Sequence, residues 1–186
     1  MELKNLIRTV PNFPRPGMHF RDITTLMRDP QAFAAATEAL CQPFVNKEID
    51  AVVGIEARGF ILAGAMAQRL GKGFVPIRKG GKLPPDTYRE SFTQEFGEEA
   101  VELAKSALKP GAKVLLVDDT VATGGTAMAA LELLEQAQAE VVATVFLIDL
   151  NDLGGAERLR AAGHEPFSLV SFPSGNTEPL PKPPKA

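Results

Sequence analysis

The chain has 186 residues, 45% of them hydrophobic and 23% charged, which suits one domain with a sizeable core and leaves no room for two full ones. Its formal charge of −3 argues against a non-specific nucleic-acid binder, and no apolar run approaches the roughly 20 residues of a membrane span. One cysteine, Cys41, excludes an intrachain disulfide framework and fits a reducing cytoplasm; with only His19 and His164 beside it, a structural zinc site is not expected.

The first ten residues lack the apolar stretch of a secretory signal. Pro11, Pro14 and Pro16 bar a helix and predict a stiff extended segment over residues 11–17. Asp29-Pro30 is an N-cap followed by proline at the first helical position. It opens a helix through Phe33, Leu40 and Phe44 that Pro43 bends or ends. Ala51–Ile55 reads as a short strand, Arg58–Leu70 as a helix stopped by Gly71, and residues 74–77 as a second strand. Gly80, Gly81, Pro84 and Pro85 make residues 78–90 a loop. Across residues 91–108, Phe92, Gln94 and Phe96 alternate, as do Val101 and Leu103; two strands are predicted, with helix an open alternative for the second. Pro110-Gly111 is a turn, residues 113–117 an apolar strand, 125–138 a helix, 141–148 a strand, and 156–162 a helix ended by Gly163. Pro173, Pro179, Pro181, Pro183 and Pro184 leave residues 173–186 as a disordered tail with little to bury. Residues 1–172 then form a single domain of α/β class. Strands without alternation, separated by helices, imply a parallel sheet covered on both faces, with ligands beyond the strands' carboxyl ends.

One segment carries most of the chemistry. Val114, Leu115, Leu116 and Val117 make a buried strand, and Asp118 and Asp119 follow at its carboxyl end. The loop Thr120, Val121, Ala122, Thr123, Gly124, Gly125, Thr126 then enters a helix. Paired glycines let the backbone turn tightly and present N–H groups; the helix adds its positive end; Thr123 and Thr126 add hydroxyls. This is a cradle for one phosphate, and no lysine follows the glycines as a Walker A loop requires. Carboxylates beside a phosphate cradle must engage hydroxyls or a divalent cation. A 5-phosphorylated ribose offers vicinal hydroxyls at the right remove.

The segment resembles the 5-phosphoribosyl 1-diphosphate (PRPP) motif of the type I phosphoribosyltransferases. Further pieces resemble the adenine-specific members: Phe13-Pro14-Arg15-Pro16-Gly17 with Phe20-Arg21-Asp22-Ile23, then Glu56-Ala57-Arg58-Gly59-Phe60. They continue with Arg78-Lys79-Gly80-Gly81-Lys82-Leu83-Pro84, Glu95-Phe96-Gly97 and Asp152-Leu153-Gly154-Gly155, so the likeness runs from Leu6 to Phe172. It implies conversion of adenine and PRPP to AMP and diphosphate with Mg2+, in a cytoplasmic homodimer of purine salvage. It also implies a twisted parallel sheet flanked by helices, a small hood over about residues 1–28, and a mobile loop over about residues 79–95.

The resemblance assigns roles. Asp118 and Asp119 hold the ribose hydroxyls, and Ala122, Thr123, Gly124, Gly125 and Thr126 hold the 5-phosphate. Glu56, Ala57 and Arg58 bind diphosphate, with a cis peptide at Glu56-Ala57; Arg78, Lys79 and Lys82 lie near the same group. His19, Phe20, Arg21 and Leu150 line the adenine. Glu95 exchanges a proton with the purine ring. No metal ligand comes directly from the protein; Mg2+ is bound mainly through PRPP and water. The sequence departs from the family's usual pattern at His19, at Phe96, where tyrosine is common, and at Thr120-Val121. Two other readings stay open: a 6-oxopurine enzyme, although no clear lysine lies in residues 147–153, and a PRPP-binding regulatory protein, although no basic stripe is apparent.

Overall fold

The computed structural model describes residues 2–94 and 97–175. Strands β1 (Arg8–Pro11) and β2 (His19–Asp22) pair antiparallel as a small separate sheet. The turn between them is held by Asn12, whose Oδ1 accepts from the Gly17 N–H at 2.9 Å, and its base by an Arg8–Asp22 ion pair at 2.6 Å. Residues 11–17 are thus the tip of a hairpin, a pairing their prolines did not announce.

Helix α1 (Thr24–Arg28) leads into α2 (Pro30–Cys41). The Asp29 carboxylate caps α2 by accepting from the N–H groups of Gln31 and Ala32. As expected, α2 ends before Pro43. β3 (Ala51–Ile55) is buried along its whole length. Helix α3 (Arg58–Leu70) then runs to Gly71, which closes it at φ +65°. β3 pairs in parallel with β4 (Gly73–Lys79) on one side and β7 (Lys113–Val121) on the other.

Between those two strands comes a hairpin, β5 (Thr87–Gln94) and β6 (Gly97–Ala104), attached to β4 through β6. Within the expected irregular loop over residues 79–95, Thr87–Gln94 is strand: side chains such as Tyr88 and Phe92 pack the hairpin on α4 (Gly125–Gln136). β8 (Glu140–Leu150), α5 (Gly155–Ala161) and β9 (Pro166–Phe172) complete the chain's order, with β9 absent from the sequence reading. The sheet order is β5-β6-β4-β3-β7-β8-β9.

Two cores cover the sheet. Val52, Leu115 and Val117 face α1–α3, while Val53, Leu116 and Phe146 face α4 and α5. This burial on both faces is why these strands show no alternation. Successive strands β3 and β4 lie on one side while β7 starts the other, so loops diverge at the carboxyl ends of β3 and β7 and leave a crevice.

Candidate active site

The crevice holds a cavity of about 560 Å³. The sequence-predicted residues Asp118, Ala122, Thr123, Gly124, Gly125, Thr126, His19 and Leu150 line it together. Met18, Thr93, Leu153, Arg158 and Ser174 also line it and were missed. Of these, Arg158 and Ser174 lie outside every motif quoted above, so only their packing shows them.

The loop from Ala122 to Thr126 is clamped by Gly155. Its N–H donates to the Ala122 carbonyl at 2.9 Å, and a Cβ there would fall 2.3 Å from that oxygen and 2.8 Å from the Gly124 nitrogen. Gly124 itself, at φ +80°, opens α4 without any side-chain cap. α3 likewise opens without one. Two helices of 12 and 13 residues thus open beside one crevice with no cap from the side chain of the residue before them.

β7 extends past the acids to Val121 because β8 stays paired beside it, through Thr120↔Ile148 and Val121↔Asp149. The sequence reading ended this strand at Val117. In a strand, neighbours leave opposite faces. Asp118 lines the cavity, whereas Asp119, 6% exposed, receives the Arg58 Nε at 2.6 Å. The same guanidinium lies over the Phe20 ring at 5.1 Å. Burial first, then the charge of Asp119, pushes the Asp118 carboxyl well above its usual range. Gly59 makes room for this corner: a Cβ would lie 2.8 Å from Asp118 Oδ1.

The expected diphosphate residues form a second cluster beside the cavity. The Glu56 carboxylate accepts from Lys82 Nζ at 2.7 Å, the Lys79 N–H at 2.9 Å and Arg78 Nε at 3.3 Å. The Lys82 ammonium leads in lowering its pKa to about 2, against the opposing effect of burial. The Glu56 N–H is committed to the Ile77 carbonyl. The Glu56 carboxylate thus gathers Arg78, Lys79 and Lys82 at one point. The Glu56-Ala57 peptide is cis, as expected, and exposed Ala57 precedes α3.

Of the four residues expected to line the base, His19 and Leu150 line the cavity, and Phe20 packs edge-on against Phe13 with the Arg58 guanidinium over its ring. Arg21, 9% exposed, turns away: its guanidinium donates to Thr9 Oγ1 and to the Pro173 carbonyl and lies 4.4 Å from the Phe172 ring. There it fixes the hood to residues 172–174. At the start of the segment expected as a tail, Asp152 and the His19 N–H take up the polar groups of Ser174. Glu95 and Phe96, and residues 176–186, lie outside the described residues.

The phosphoribosyl transferase domain family matches residues 22–162. An adenine phosphoribosyltransferase of Methylobacterium sp. (strain 4-46) is 56% identical over 170 residues, 91% of this chain and 94% of that protein. The solved adenine phosphoribosyltransferase of Rhodothermus marinus is 48% identical with a TM-score of 0.85, over 91% of this chain and 96% of its own. That of Saccharomyces cerevisiae, in complex with an imino-altritol bisphosphate and adenine, is 38% identical with a TM-score of 0.85, over 91% and 97%. A glycine-rich loop, a paired acid corner and a cationic cluster at one switch point thus come with relatives that match almost end to end: the chain belongs to the phosphoribosyltransferase family, in its adenine-specific branch.

Proposed function

We propose that the crevice binds PRPP across the two helix N-termini, with its 5-phosphate on the loop from Ala122 to Thr126 and its diphosphate at Arg58, Arg78, Lys79 and Lys82. The observation that carries this reading is the pair of helices opening without side-chain caps on either side of Asp118. The reaction transfers the 5-phosphoribosyl group from PRPP to adenine, releasing diphosphate and forming AMP, a purine-salvage step.

Asp118 accepts a ribose hydroxyl directly. Arg58 exchanges Asp119 for the diphosphate, which releases the Asp119 carboxylate to the second hydroxyl. Adenine lies between His19 and Leu150, against Met18, Leu153 and Ser174, where the wall is largely apolar and suits a flat ring. Glu95 takes the proton that the purine ring loses as its nitrogen bonds to the sugar. Mg2+ would be held mainly through PRPP oxygens and water, on the wall where Asp118 faces the cavity. When bound, the ion neutralises charge on the departing diphosphate.

A homodimer is part of the same reading. Ile61 and Phe74 are 45% and 39% exposed, and Phe74 packs edge-on against Phe60 at 5.5 Å, leaving apolar surface on α3 and β4. A cytoplasmic setting suits the Cys41 thiol, which burial pushes up to about 11. Among the described residues no helix is long and apolar enough to cross a membrane.

The test is a product assay with PRPP, Mg2+ and each free purine base in turn. AMP from adenine is expected. Nucleotide formation from hypoxanthine or guanine at comparable kcat/KM, or from no base at all, overturns the reading.

A further inference from the structure

The cradle residues of the motif are neutral. Ala122, Thr123, Gly124, Gly125 and Thr126 give backbone N–H groups and hydroxyls, and Asp118 on the same wall is an acid. A dianionic phosphate seated there would meet dipoles but, from those residues, no positive charge. One cationic side chain among the described residues lines this cavity, and it comes from outside the motif: Arg158.

Its placement follows from the glycine pair before it. Gly154 turns at φ +75°, and Gly155, with no room for a Cβ, lays the first turn of α5 directly on Ala122 and Gly124. Arg158 follows within that turn and hydrogen-bonds through its backbone N–H to the Gly154 carbonyl at 3.0 Å. Its Cδ lies 3.6 Å from the point where a Cβ on Gly124 would stand. The stem of Arg158 thus rests on the loop that opens α4.

Its electrostatic state differs from that of its neighbour. Arg160, two residues on, is committed to Glu157 and Glu165. The Arg158 side chain has no hydrogen-bond or ion-pair partner among the described residues, although Glu157 is adjacent in sequence. An exposed guanidinium beside a ring of outward N–H groups has the five donors and fixed charge that suit a phosphate's oxygens.

We propose that Arg158 is a binding residue for the 5-phosphate, supplying the charge that the motif loop lacks and selecting phosphorylated over unphosphorylated ribosyl ligands. This rests on the placement of the 5-phosphate at residues 122–126 given above.

The experiment compares AMP with adenosine, which differ by that phosphate alone, by titration calorimetry on the full chain. The wild-type protein is expected to bind AMP far more tightly than adenosine. Arg158→Gln weakens AMP by about tenfold or more, the scale of a charge-assisted hydrogen bond, and leaves adenosine unchanged. Arg158→Lys restores part of the loss, and the AMP advantage of wild type shrinks with added salt more than that of the Gln variant. Arg158 is exposed, so these variants are expected to fold as wild type does. An AMP-to-adenosine ratio in Arg158→Gln equal to that of wild type overturns the proposal alone. A wild-type protein that binds adenosine as tightly as AMP overturns the phosphate placement itself.

Discussion

The Asp152 carboxylate holds Ser174 at both of its donors: Oδ1 accepts from the backbone N–H and Oδ2 from the hydroxyl, each at 2.8 Å. With the His19 N–H bonded to the Ser174 carbonyl, and Ser174 only 8% exposed, this clamp ties the hood to the rim of the cavity. Asp152→Ala removes both of these bonds to a buried residue and is expected to cost about 1–3 kcal/mol in denaturant unfolding. A chain ended after Pro173 should lose similar stability and raise the adenine KM severalfold with little change for PRPP. A chain ended after Gly175 keeps every one of these bonds and serves as the reference. Equal adenine KM values in the two truncations would remove the clamp from the base site.

Asp118 and Asp119 should separate on substitution. Asp118 is ionised at a cost, so Asp118→Asn is expected to keep or raise stability at neutral pH while weakening PRPP about tenfold or more. The sign follows from its raised pKa. Below the ordinary value of 3.8 both states are protonated; above it the unfolded chain ionises first, so the native state loses stability as pH climbs toward the raised value. Asp118→Asn flattens that decline. Asp119→Asn weakens the Arg58 bond and is expected to lower stability as well as PRPP affinity. Stability curves from pH 4 to 9 for both variants check the split.

Glu56 gives the opposite pH signature. Its carboxyl is held at about 2, so the stability it contributes is complete above its ordinary 4.5 and lost as pH falls toward 2. Glu56→Gln should unfold in acid with a shallower slope over that window. At pH 7 it should cost roughly 1–2 kcal/mol, since the amide oxygen still accepts from the Lys79 N–H. An unchanged acid transition would show that the Lys82 and Arg78 contacts carry no free energy.

Gly155→Ala places a methyl against backbone on two sides, where no side chain can swing away. A destabilisation of about 1–3 kcal/mol is expected, together with a PRPP KM raised more than the adenine KM, because the displaced loop is the one proposed to seat the 5-phosphate. Initial-rate kinetics at saturating partner substrate distinguish this from a uniform loss of folded enzyme.

The sequence was most legible where chemistry is local. Asp29-Pro30 marks the head of α2 and Gly71 the end of α3 because caps act within one turn. It was least legible where a neighbour decides. Two adjacent acids do not look like strand, yet the β8 ladder and the Arg58 guanidinium carry β7 through them to Val121. β9 mixes serines into its apolar run and is a strand because β8 offers it an edge. Arg21 sits inside a motif yet faces Thr9 and Pro173, a direction set by the hairpin register and by a carbonyl 152 residues away. Arg158 has no motif signal at all.

That separation of 152 residues also dates the hood in the life of the chain. Strands β1 and β2 leave the ribosome first, but the carbonyl that receives Arg21 and the serine that receives the His19 N–H are among the last described residues to be made. At roughly 5–20 residues per second the hairpin waits about 8–30 seconds for its anchor. During synthesis, the side of the cavity formed by His19 and Ser174 is therefore assembled after the loop from Ala122 to Thr126, and a nascent chain paused before residue 173 would carry that loop without a finished wall at His19.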